Sequence, residues 1–115
     1  MPPRDWKFRV RDIIDAVHAI EEYTRNMTFE AFCADRKTVD AVARNFTIIG
    51  EAARAMPKQI VANHPEIPWG LMNATRNVLV HVYFGVSETI VWRTIQHDLP
   101  LLLAPLQKLL DDEQQ

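Results

Sequence analysis

The chain has 115 residues, 48% of them hydrophobic and 24% charged, with a formal net charge of −2. That balance fits one globular domain and excludes a disordered chain or a broadly basic nucleic-acid binder, so any contact with RNA must use a local basic patch. Cys33 is the only cysteine, which excludes an intrachain disulfide and a cysteine metal cluster.

The opening "MPPRDWKFRVRD" lacks an apolar signal region, and no apolar run is long enough to span a bilayer. A cytoplasmic protein without membrane contact is the expectation. Only three glycines occur and strand-like alternation is scarce, which favours an all-α chain.

The first helix is expected over 4–25. Val10, Ile13, Val17 and Ile20 recur at helical spacing, and Arg4, Arg11, Asp15, His18, Glu22 and Arg25 form the opposite stripe. "NMTFEAFCADR" breaks the pattern and reads as a turn or one-turn helix, with Thr28 and Asp35 as caps.

A second helix should run over 36–56 and stop at Pro57. Its apolar face is Val39, Val42, Ala43, Phe46, Ile49, Gly50, Ala53 and Met56. Its polar face is Asp40, Arg44, Thr47, Glu51 and Arg54. "PKQIVANHPEIP" is a proline-punctuated connector with room for one short helix.

The third helix should start near Trp69, after Pro68, and stop at Gly85 after Phe84. Ser87 can cap a fourth helix carrying Val91, Trp92, Ile95, Leu99, Leu102, Leu106 and Leu109, kinked or broken by Pro100 and Pro105. Residues 111–115 should fray. The sum is a single domain over 1–115, a four- to five-helix up-and-down bundle.

The third helix carries an unusual polar sector. At about 100° per residue, Asn73 and His81 each lie within about 40° of Asn77, alongside Gly70, Val80 and Phe84. Trp69 belongs to the same mixed sector, and Leu71, Met72, Val78, Leu79 and Val82 point the other way. Arg76 and Tyr83 nearly coincide, because seven residues make about two turns. A mixture of amides, imidazole, guanidinium and large apolar groups suits a contact surface better than open water.

Arg76 and His81 stand about 140° apart on an ideal helix. A second copy of the helix across a two-fold axis would bring the pairs of both chains to one seam, so a homodimer is expected. Histidine can accept and donate protons near neutral pH, arginine offers a fork for phosphate oxygens, and Asn77 can orient either. These groups suit cleavage of RNA by its own 2′-hydroxyl, leaving a 2′,3′-cyclic phosphate.

The third helix has no carboxylate cluster for two metals, and His18, His64, His81 and His97 lack zinc-ligand spacing. No metal or cofactor is expected. His18 and His97 read as surface residues, and His64 as a connector residue. On spacing alone, an interfacial packing face explains Arg76, His81 and Tyr83 better than catalysis does.

"RNVLVHVY", residues 76–83, resembles the R-x4-H-x-Y motif of the HepT family within the HEPN superfamily of small helical domains. "RNFTIIGEAAR", "HPEIPWGLMNATRN" and "YFGVSETIVWRTIQHDLP" extend the resemblance over about Lys7 to Leu106. It implies a homodimeric, HEPN-like ribonuclease toxin of a type VII toxin–antitoxin pair, with Arg76 and His81 catalytic at the dimer seam. Asn77 is implied as a supporting residue, and Tyr83 as the site that a MntA-type nucleotidyltransferase antitoxin modifies with AMP.

An adenylated Tyr83 would set a bulky anion beside Arg76. Glu51 fits either the same cleft or a solvated helix face, and Arg44 and Arg54 could extend an RNA-binding patch. Two other readings stand beside this one. One is a non-catalytic nucleotide- or partner-binding subunit of a nucleotidyltransferase complex. The other is a dimeric bundle whose polar face only packs.

Overall fold

Helix α1, Trp6–Thr24, forms because apolar residues recur at helical spacing and Asp5 caps its start, accepting from Lys7 N at 3.0 Å. The computed structural model describes residues 5–75 and 88–113. Val10, Ile13, Val17 and Ile20 are all fully buried, as their spacing predicts. The helix ends in a type II turn: Arg25 is extended, Asn26 takes a φ of 64°, and Met27 N donates to Thr24 O at 3.0 Å. Asparagine tolerates that left-handed geometry better than most residues do.

The predicted caps both serve. Thr28 accepts from Ala31 N at 3.1 Å and opens α2, Phe29–Ala34. Asp35 accepts from Thr38 N at 3.2 Å and opens α3, Arg36–Arg54. Its second oxygen accepts from the Thr38 hydroxyl at 2.8 Å, and these bonds hold the Asp35 carboxyl below the usual range.

Helix α3 is the main partner of α1, and the helix at Pro100–Glu113 is the next. Val39, Val42, Ala43, Phe46, Ile49, Gly50, Ala53 and Met56 are buried. Removing one phenylalanine ring such as that of Phe46 from water stabilises the fold by about 1.5–3 kcal/mol.

The connector does hold one short helix, α4 at Lys58–Asn63. A helical segment, α5, follows over 69–75. The expected stop at Gly85 and cap at Ser87 lie outside the described residues, as does Arg4.

The expected fourth helix is divided. Helix α6, Glu88–Arg93, runs into a π-helical stretch, Thr94–Asp98, where Leu99 N reaches back five residues to Thr94 O at 3.0 Å. Helix α7, Pro100–Glu113, follows with Pro105 inside it. The break therefore falls just before Pro100, which has no N–H to extend an α ladder. Residues 111–113, expected to fray, are helical, and Gln107 Nε2 donates to Asp111 at 3.1 Å.

Val91, Ile95, Leu99, Leu102, Leu106 and Leu109 all join the buried core. Trp92 lies half-buried against Phe32, ring centres 5.2 Å apart, which ties α2 to α6. The fold is all-α among the described residues, in more and shorter pieces than the sequence predicts. None of the described helices is long and apolar enough to cross a membrane.

Candidate functional site

The α5 segment is fixed from both sides. Trp69 is 8% exposed, and its indole N–H donates to His64 O at 3.0 Å. The mixed contact face predicted for α5 therefore loses Trp69, which belongs to the buried core. Leu71 N and Met72 N both bond Pro68 O, at 3.1 and 3.3 Å, so Pro68 opens the segment as expected.

Met72 is fully buried and Thr75 is 1% exposed. The Thr75 hydroxyl lies 2.7 Å from Met72 O and 3.2 Å from Phe46 O, which binds the α5 segment to the middle of α3. Gly70 and Asn73 are exposed, and no atom lies within 4 Å of the place a Gly70 Cβ would take.

Arg76, Asn77, His81 and Tyr83 lie outside the described residues. What the structure does locate is the residue immediately before Arg76: Thr75, tied to α3 at Phe46. Glu51, one and a half turns further along α3, is exposed, and so are Arg44 and Arg54. His18 and His97 are exposed as expected. His64 Nδ1 lies 3.3 Å from Glu66 Oε2 in the connector.

Two features escape the sequence reading. A groove of about 420 Å³ runs between α1 and α3, lined by Asp12, Asp15, Ala16, Ala19, Asn45 and Ile48. The small side chains of Ala16 and Ala19, three residues apart, are its only signal in the sequence. A second cavity, about 230 Å³, lies between the Asn26 turn and the π-helical stretch, lined by Glu21, Arg25, Gln96 and Pro100 among others.

Cys33 is half-buried, and burial, joined by a hydrogen bond to Glu88 and that residue's charge, pushes its thiol up to about 11. Such a thiol is a poor nucleophile. Among the described residues, no group of three or more histidines, cysteines or acids is placed to hold a metal.

A family model described as "Ribonuclease HepT-like" matches residues 13–109, a span that runs from within α1 to within α7. The chain belongs to the HepT-like ribonuclease family. It is 43% identical over 106 residues to a Thermococcus cleftensis protein described as a probable ribonuclease HepT, covering 92% of this chain and 96% of that one. Two Methanocaldococcus jannaschii proteins carrying RNase in their names are 32% and 35% identical, each over 97% of this chain and 93% of their own length. No solved structure matches the chain at a significant level. HepT-like membership thus spans the α1–α3 pair, the Thr75 anchor and the α6–α7 arm.

Proposed function

We propose that this chain is a metal-independent endoribonuclease, with Arg76 and His81 as its catalytic pair at a homodimer seam. The observation that carries the reading is the family match over 13–109, which encloses Arg76, Asn77, His81 and Tyr83 at R-x4-H-x-Y spacing. The relatives named as ribonucleases share almost the whole length of this chain. Thr75, buried and tied to α3, supports a rigid approach to Arg76.

His81 moves the protons of 2′-hydroxyl attack, Arg76 stabilises the charge growing on the phosphorus, and Asn77 supports the geometry. Glu51 faces solvent on α3 and is available to that cleft as a polar neighbour rather than as a buried acid. The chain acts as the toxin of a toxin–antitoxin pair, and a MntA-type nucleotidyltransferase silences it by attaching AMP to Tyr83. The added phosphodiester would occupy Arg76 and block RNA.

Purified protein should cleave RNA in EDTA, and His81→Ala or Arg76→Ala should abolish the cut. Undiminished cleavage by His81→Ala would refute the assignment. Intact-mass spectrometry after co-expression with a MntA-type enzyme should show AMP additions that Tyr83→Phe removes.

A further inference from the structure

The exposed side of α3 is a continuous stripe. At about 100° per residue, Arg36, Lys37, Asp40, Arg44, Thr47, Glu51 and Arg54 all fall within one sector of about 100°. All but Thr47, which is half-buried, are exposed. The stripe carries Arg36, Lys37, Arg44 and Arg54 against Asp40 and Glu51, so it is net positive on a chain of net charge −2. Asp40 is partly engaged by Arg36 at 3.5 Å. Arg44 and Arg54 have no carboxylate partner among the described residues.

We propose that this face is a rail for the phosphate backbone of single-stranded RNA. The proposal rests on the RNA-cleaving reading above and assigns that substrate a docking surface. Two further observations select RNA over a protein partner. Protein interfaces are anchored by large apolar or aromatic side chains, whereas nucleic-acid surfaces are polar and positive. Among the described residues the exposed large hydrophobic side chains are Phe8, Tyr23, Ile90 and Leu101, and none of them lies on α3.

The second observation is position. The Thr75 hydroxyl bonds Phe46 O on the buried side of α3, so the residue before Arg76 is tied to the helix that carries the stripe. From Arg36 to Arg54 the helix rises about 27 Å, enough to follow several nucleotides of extended strand. Arginine's rigid fork suits phosphate oxygens, and three of the four cations are arginines.

The test is fluorescence anisotropy of a labelled single-stranded RNA, titrated with protein carrying His81→Ala so that the probe survives. Each cation that leaves a phosphate should reduce the slope of log affinity against log salt by about 0.7. Near 0.15 M salt that is about a fourfold loss per residue. Arg44→Gln with Arg54→Gln should therefore weaken binding about fourteenfold and lower the slope by about 1.4.

The control is Arg93→Gln with Lys108→Gln, an equal charge change on α6 and α7, which should alter binding by less than about twofold. Equal losses in both doubles would reduce the effect to net charge and overturn the rail. Unchanged RNA affinity in the α3 double, with binding otherwise present, overturns the rail alone. If the α3 double also loses self-association in sedimentation, the face is a protein contact. No RNA binding by the His81→Ala protein, joined to no cleavage by the unsubstituted one, overturns both the rail and the ribonuclease reading.

Discussion

Replacing Thr75 by valine removes one hydroxyl and keeps the shape of a buried, β-branched side chain. The hydroxyl has one proton for two acceptors, Met72 O at 2.7 Å and Phe46 O at 3.2 Å. A net intramolecular hydrogen bond contributes about 1 kcal/mol. Phe46 O lies within α3 and keeps its own helical partner, so the loss should stay near that figure. For a domain of this size that is a fall of about 4 °C in Tm at fixed protein concentration. Thr75→Ala also loses a buried methyl group and should cost about 2 kcal/mol.

Urea titration followed by circular dichroism measures both changes. Cleavage should respond more than stability does, because Arg76 is the next residue and a small displacement of a catalytic group costs on the order of tenfold or more. Assayed well below the melting temperature, Thr75→Val should lose RNase activity while remaining folded. A valine variant as stable and as active as the parent would refute the view that this bond positions the site.

Trp69→Phe should destabilise by about 1 kcal/mol, read by urea titration, because a part-buried hydrogen bond to His64 O is lost while Ile67 N still donates to that carbonyl. Cys33 should alkylate slowly at pH 8, where a thiol at about 11 holds roughly one part in a thousand as thiolate, and Glu88→Gln should speed iodoacetamide labelling followed by mass spectrometry. Asp35 has its folded pKa depressed, so its contribution is present above the ordinary carboxylate pKa and is lost as pH falls through the lower folded value. Asp35→Asn should keep the cap and flatten that part of the acid limb in a pH series of melts, while Asp35→Ala should lower Tm throughout.

Local signals proved the most legible. Thr28 and Asp35 act as caps because each needs only its own neighbours to fix its geometry. The apolar faces of α1 and α3 follow from periodicity, since packing decides which side faces in. An ideal helical wheel misplaces Trp69 because it knows nothing of the connector, whose His64 carbonyl accepts from the buried indole.

The groove between α1 and α3 depends on the distance between two helices, which no single-helix pattern encodes. Of the candidate site, Glu51, Arg44 and Arg54 sit on the face that spacing gave them. Thr75 is silent in the sequence because a small polar residue on the apolar side carries no sign of a partner twenty-nine positions away.

The π-helical stretch holds one residue more per turn than the helices on either side of it. Deleting a single residue from an ordinary buried helix turns everything beyond it by about 100° and moves its core leucines out of register. Here the same deletion, at exposed Gln96 or His97, would let Thr94 O bond four residues on instead of five. Leu102, Leu106 and Leu109 would keep their facing. The arm that closes the core thus carries slack of one residue in chain length, and the slack sits beside the prolines that hold it in place.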